Sequence, residues 1–210
     1  MNASDVQLAG LDVSRETFAA LKQYESLVLR WTSAINLISK STQADVWQRH
    51  IVDSAQLFRH CPASARKWLD VGSGGGFPAI VIAILAREAK PDLHVTLVES
   101  DLRKATFLRQ AVQILSLNAT VLSARAESLS PMLADVLSAR ALAPLSDLLA
   151  LAEMHLQPDG IAIFPKGARF GAEIASARQS WAFDVDTFPS LLEADAAILV
   201  IRDIHRARQV

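Results

Sequence analysis

Leu69-Asp70-Val71-Gly72-Ser73-Gly74-Gly75-Gly76-Phe77-Pro78 decides how this chain folds. Lys67 to Val71 has the apolar texture of a short strand and runs straight into glycines. Glycine takes positive φ without steric cost, so the chain turns sharply there, and the missing side chains let a ligand lie against the backbone. Pro78 suits the first turn of a helix, which spans Pro78 to Glu88 despite its β-branched content. The next strand, His94 to Glu99, ends in an acid 27 positions after Gly72. Adjacent strands would set that acid and the glycine turn on the same rim.

Further downstream the alternation continues. Helical spacing covers Leu102 to Leu117, strand texture Ala119 to Ser123 and Asp135 to Ala139, and helix returns at Pro144 to Leu156. Gln157-Pro158-Asp159-Gly160 reads as the turn closing that helix. Ile161 to Phe164 is a strand, Phe170 to Gln179 a helix and Ala196 to Ile201 a final strand. Such alternation predicts a mostly parallel, doubly wound α/β sheet that binds ligands at the carboxyl ends of its strands.

Upstream the texture is helical. Phe18, Leu21, Tyr24, Leu27, Val28 and Trp31 form one stripe from Ser14, a candidate N-cap, to Trp31. After a loop at Asn36 to Thr42, Trp47, Ile51, Ala55 and Phe58 share a face of a second helix, Asp45 to His60. Pro62-Ala63-Ser64 ends this half. The expected organisation is an N-terminal helical segment, residues 1–65, packed on an α/β domain, residues 66–210.

The 210 residues are 51% hydrophobic and carry a net charge of −1, so a polyanionic partner would have to be held by local positive charge. No apolar run approaches the ~18 residues that span a bilayer. The longest, Ala79 to Ala86, fits a buried element. Asp5 and Asp12 stand where a signal peptide would be basic and then apolar, so none is expected, and the expected compartment is the cytoplasm. Cys61 is the sole cysteine, and no Cys/His spacing suggests a metal site, so none is expected. Trp31, Trp47, Trp68 and Trp181 read as core. Arg202-Asp203-Ile204-His205-Arg206-Ala207-Arg208 reads as a solvated tail, with RNA contact as the alternative.

A dinucleotide fingerprint would put its third glycine at position 77, where this chain has Phe77. Gly72-x-Gly74-x-Gly76 instead resembles the loop of S-adenosylmethionine-dependent methyltransferases, whose ligand has no pyrophosphate. Glu99 would accept hydrogen bonds from the ribose hydroxyls, and Asp70 would help orient the cationic amino-acid end of that cofactor. Arg49 and Asp53 lie four apart on a helix and His50 and Asp53 three apart, spacings that also suit surface pairs worth a few tenths of a kcal/mol. No nucleophile-elbow serine accompanies them, which argues against hydrolase chemistry.

Asn36-Leu37, Arg49-His50-Ile51-Val52-Asp53-Ser54 and Asp70 to Pro78 together resemble the glucose-inhibited division protein B family. So do Lys104 with Phe107-Leu108-Arg109, Arg125-Ala126-Glu127, Ser138-Ala139-Arg140-Ala141 and Lys166-Gly167, so the likeness spans nearly the whole chain. It implies a Rossmann-like class I S-adenosylmethionine-dependent methyltransferase acting on N7 of one guanine in 16S ribosomal RNA. By that resemblance Gly72, Gly74 and Phe77 line the cofactor pocket, Ala126 and Glu127 meet the adenine end, and Arg140 faces the active site as the catalytic arginine and touches the cofactor. His50 and Asp53 would close over the cofactor or position RNA; Lys166, following the strand Ile161 to Phe164 on the binding rim, would contact phosphate, with a solvated lysine as the alternative. Where the family commonly has glycine, this chain has Ala79. The implied partner is 16S ribosomal RNA in the 30S subunit or an assembly intermediate, met by a monomer. A methyltransferase for a protein or small molecule, and a non-catalytic cofactor-binding module, remain the alternatives.

Overall fold

The computed structural model describes residues 6–207. A hairpin of β1 (Val6–Leu8) and β2 (Leu11–Val13) precedes α1 (Arg15–Thr32). Ser14 caps α1, its Oγ accepting from Thr17 N at 3.1 Å. A 3-10 segment (Lys40–Asp45), a π-helical turn (Trp47–Val52) and α2 (Asp53–Phe58) follow. The α/β part then runs β3 (Lys67–Val71), α3 (Ala79–Ala89), β4 (His94–Val98), α4 (Leu102–Ile114), β5 (Ala119–Leu122), a short 3-10 turn (Ala126–Ser128), β6 (Ala134–Ser138), α5 (Leu145–His155), β7 (Leu156–Lys166), α6 (Phe170–Ala177), β8 (Trp181–Pro189) and β9 (Ala197–Arg206).

Seven strands form one sheet in the order β5-β4-β3-β6-β7-β9-β8. β3 to β7 pair in parallel, while β9 runs antiparallel to both β7 and β8. Strand order reverses between β3 and β6, so a crevice opens at their carboxyl ends. That crevice is where the glycine loop lies.

One apolar cluster joins α1, α2, α3 and α4 to one sheet face, and a second joins α5 and α6 to the other. Every side chain from Ala79 to Ala86 is buried, which an α-helix achieves only when covered all round. α3 is therefore sandwiched between the sheet and the N-terminal helices, and the Ala79 methyl has a fully packed place. Trp68 and Trp181 are buried, and Trp31 and Trp47 pack against the first cluster.

Four local expectations need correction. The helix anticipated from Asp45 to His60 is a π turn followed by α2. Gln157 to Gly160 lie within β7, where the register shifts between Ala134↔Leu156 and Val136↔Ile161. The turn-forming residues make an irregularity in a strand and not a break. β8 went unanticipated because it is an edge strand with its later residues exposed and a register shift at Ala182/Asp184. The basic stretch from Arg202 is not a tail: β9 continues through Arg206, Arg202 pairs with Asp186 at 2.7 Å, and Arg206 lies over Trp181. Arg208 falls outside the described residues.

Candidate active site

A cavity of about 1240 Å³ opens at the carboxyl ends of β3, β4, β6 and β7, with Gly74, Phe77, Glu99, Arg140, Lys166 and His50 in its wall. Single-ligand pockets run ~300–1,000 Å³, so this space suits a cofactor and an acceptor group together.

The glycines of the loop have different tasks. Gly72, Gly74 and Gly76 take positive φ, at 68°, 56° and 87°. A Cβ on Gly72 would stand 2.6 Å from Leu142, one on Gly75 2.9 Å from the Leu37 carbonyl, and one on Gly76 2.5 Å from the Tyr24 hydroxyl. Around Gly74 the nearest such atom is the Gly72 carbonyl at 3.8 Å. Gly74 is thus the glycine whose missing side chain leaves room for a ligand; the others admit neighbours from the protein itself.

Glu99 ties this loop to β4. Its Oε2 accepts from Gly74 N at 2.7 Å and its Oε1 from Asp101 N at 2.8 Å, which orients a carboxylate at the cavity wall. Asp70 lies deeper and does not line the cavity. Its Oδ1 accepts from Ser138 Oγ at 2.6 Å, and Ser138 in turn accepts from Trp68 Nε1 at 2.8 Å. Asp70 Oδ2 is buried without a partner. Burial pushes this carboxyl up to about 6, against the hydrogen bond from Ser138 that favours its charge, while the Ser73 hydroxyl donates to the Asp70 backbone carbonyl at 3.2 Å.

Arg140 follows β6 and projects across Phe77, its guanidinium carbon 5.2 Å from the ring centroid. Nη2 donates to His50 Nδ1 at 2.8 Å, and Nη1 lies 3.4 Å from both Asp53 Oδ2 and the Arg49 carbonyl. An arginine only donates, so His50 Nδ1 accepts and its Nε2–H points to Thr42 Oγ1, 2.9 Å away. His50 also stacks on Phe77 at 5.0 Å. Burial, with Arg140 and Arg49 nearby, lowers His50 to about 4, so the ring is neutral near pH 7. Burial raises Asp53 from its ordinary value, opposed by Arg140.

The pairs suggested by helical spacing do not form. Arg49 reaches Glu193 at 2.9 Å, and Asp53 faces Arg140 and Gln56. The cause is the π turn: its i→i+5 bonding changes which side chains stack. The Arg49-to-Asp53 motif instead embraces Arg140. Lys166 lines the cavity, but its Nζ is held by Glu173 at 2.8 Å and the Ala143 carbonyl at 3.2 Å, which compensates its charge. Ala126 is buried and Glu127 is exposed beside Arg125, and neither belongs to the cavity wall. The buried His155 donates through Nε2 to the Ala126 carbonyl at 3.0 Å and so anchors that turn. Cys61 is half-buried, and burial raises its thiol to about 11, an unreactive setting.

Sequence reasoning assigned no site role to three wall or supporting residues. Tyr24 reads as one more member of an apolar stripe, yet its hydroxyl donates to the Gly75 carbonyl. Leu142 and Leu37 fill the spaces at Gly72 and Gly75. Their apolar identity carries no site signal; Leu37 stands in the family motif beside Asn36, and Leu142 follows the motif residues Arg140 and Ala141.

The family model described as GidB, rRNA small subunit methyltransferase G, matches residues 17–199. The chain belongs to this family. A ribosomal RNA small subunit methyltransferase G of Cereibacter sphaeroides is 55% identical over 195 residues, covering 93% of this chain and 95% of that one. Its namesake in Ruegeria pomeroyi is 48% identical over 196 residues, covering 93% and 96%. Among solved structures, an S-adenosylmethionine-dependent methyltransferase from Aquifex aeolicus superposes with a TM-score of 0.57 at 13% identity, covering 84% of this chain and 96% of that one. A ribosomal protein L11 methylase from Lactobacillus delbrueckii gives 0.54 at 19% identity, covering 76% and 79%. Those likenesses establish the fold as that of class I S-adenosylmethionine-dependent methyltransferases. Among the described residues no helix is long and apolar enough to cross a membrane, and no group of three or more His, Cys, Asp or Glu could hold a metal.

Proposed function

We propose that this protein transfers a methyl group from S-adenosylmethionine to N7 of a guanine in 16S ribosomal RNA, acting as a monomer in the cytoplasm on the 30S subunit or an assembly intermediate. The residues present fit the cofactor. Gly74 leaves open space at the loop, Glu99 offers an oriented carboxylate for ribose hydroxyls, and the buried unpartnered oxygen of Asp70 puts negative potential beneath a cationic ligand. When bound, the cofactor supplies an electrophilic methyl on a sulfonium.

The state of His50 carries the choice of acceptor atom. Both ring nitrogens are engaged, one by Arg140 and one by Thr42, and burial keeps the ring neutral and poorly basic. The one histidine in the cavity wall is therefore not poised to take a proton. Guanine N7 needs none removed: its in-plane lone pair forms the new N–C bond as the S–C bond breaks, and the positive charge passes to the purine. This chain's contribution is in-line placement of donor and acceptor, which can supply ~7–11 kcal/mol. The base is unstacked to reach the cavity. Arg140, held by His50 and Asp53 above Phe77, orients the guanine edge or an adjacent phosphate and does not act as an acid. Ala126 and Glu127 lie outside the cavity wall and are given no contact in this reading, while Lys166 approaches RNA once its partnership with Glu173 opens.

Labelled methyl transfer offered in parallel to 30S subunits lacking this modification, naked 16S RNA and ribosomal protein tests the reading. Label in RNA supports it. Label in protein alone, or cofactor binding without transfer to any acceptor, overturns it.

A further inference from the structure

The glycine loop is secured on two sides by the sheet: Gly72 N and Ser73 N donate to the Val98 carbonyl at 2.9 and 3.0 Å, and Gly74 N donates to Glu99. On its third side the attachment comes from the N-terminal segment. Tyr24, the one tyrosine in the chain, is completely buried on α1 and donates to the Gly75 carbonyl across 51 residues of sequence. Its ring packs on Phe77 at 5.2 Å, and its hydroxyl fills the space a Cβ on Gly76 would need. Three consecutive glycines, Gly74 to Gly76, give this stretch more conformational freedom to lose than any other sequence would. The N–H of the Gly75–Gly76 peptide donates to Ser73 O at 2.7 Å within the loop, and the Tyr24 hydroxyl on the carbonyl of the same peptide ties it to α1.

We propose that Tyr24 is a positioning residue for the cofactor-binding loop: its hydroxyl holds the Gly75–Gly76 peptide so that Gly74 and Glu99 present a ready-made surface to S-adenosylmethionine. The inference rests on the cofactor reading above. Burial holds the phenol well above its ordinary value, so it remains a donor throughout the neutral range. Without the hydroxyl the buried Gly75 carbonyl loses this donor, and the loop spreads over several arrangements of which one binds. Apparent affinity falls in proportion to the competent fraction. Once cofactor is bound the loop is again ordered, so the transfer step itself changes little.

The test compares Tyr24→Phe with Thr32→Val in the full chain. Thr32 lies on the same helix, is also buried, and donates to Val28 O at 2.7 Å within α1. Its replacement removes a buried hydroxyl without touching the loop. Titration calorimetry with S-adenosylhomocysteine should show Kd raised about tenfold in Tyr24→Phe, as expected for one unsatisfied buried carbonyl, and unchanged in Thr32→Val. KM for the methyl donor should rise with kcat within about twofold of wild type. Amide exchange at residues 73–77 should accelerate in Tyr24→Phe only. Wild-type Kd with wild-type loop exchange in Tyr24→Phe overturns the proposal, and so does equal weakening in both variants, which would reduce Tyr24 to helix stability. A wild-type protein that binds no S-adenosylhomocysteine refutes the cofactor reading itself, a result distinct from either.

Discussion

Replacing Asp70 by Asn should make the ligand-free protein more stable at pH 8 while weakening its hold on a cationic cofactor. Raising a carboxyl from 3.8 to about 6 corresponds to about 3 kcal/mol of preference for the protonated form in the folded chain. The folded state therefore binds more protons than the unfolded one between these values. The stability contributed by the protonated carboxyl is complete below 3.8 and is lost as pH rises through about 6. Asn removes the charge and keeps an acceptor for Ser138, but its amide occupies the place of the unpartnered Oδ2 and costs about 1–3 kcal/mol itself. The net gain at pH 8 is on the order of 1 kcal/mol, or about 2–4 °C in Tm for a chain of this size. Thermal melts of both proteins from pH 5 to 8 should show Asn no better than Asp at pH 5 and better at pH 8. Calorimetry should show both ligands weakened through the amino-acid ammonium they share, and S-adenosylmethionine more so because it also carries the sulfonium. A stability difference that does not vary with pH would rule out burial as the cause of the raised carboxyl, and unchanged affinity for both ligands would rule out the electrostatic role.

Glu99→Ala should weaken cofactor binding by about 1.5–3 kcal/mol in calorimetry, through lost charge-assisted bonds and a released Gly74 N–H; Gly74→Val should abolish it by filling the open space. Arg140→Ala should lower methyl transfer more than cofactor affinity, measured by kcat/KM against Kd, because its hydrogen bonds run to His50, Asp53 and the Arg49 carbonyl and none to Gly74 or Glu99. His50 titrates at about 4 when folded against 6.5 when free, so the stability of its neutral ring is present above 6.5 and lost as pH falls toward 4. Single-turnover transfer should accordingly stay flat from about pH 6.5 to 8.5, and His50→Ala should act by loosening Arg140; a rate that falls through a histidine-like pKa and loses that dependence in His50→Ala would contradict it.

The strand, glycine loop and helix around Gly72 were legible because each needs residues few other structures tolerate, and Glu99 followed from strand spacing. Ser14 was legible as a cap for the same reason. Arg140 and the Arg49-to-Asp53 motif were recognisable as a set through family resemblance, but not how they meet. The π turn at Trp47–Val52 has no periodicity distinct from an α-helix at six residues, so helical spacing paired Arg49 with Asp53 where the fold pairs Asp53 with Arg140. Gln157-Pro158-Asp159-Gly160 carry real turn chemistry, yet neighbouring β6 retains the strand around them. Tyr24 shows the limit most clearly. Its ring obeys the apolar stripe, while the partner of its hydroxyl lies 51 residues away and is a backbone atom, which no side-chain pattern encodes.

As proposed, methylation of guanine N7 in 16S RNA proceeds without a general base. Incubating the protein with isotopically labelled S-adenosylmethionine and 30S subunits that lack the modification, then digesting the RNA to nucleosides for mass spectrometry, tests it most directly. Label is expected in 7-methylguanosine, at a single methyl per 16S RNA. Label in a nucleoside methylated on an exocyclic amine or ribose hydroxyl would contradict it, since either nucleophile must lose a proton, and His50 in the cavity wall is engaged on both ring nitrogens.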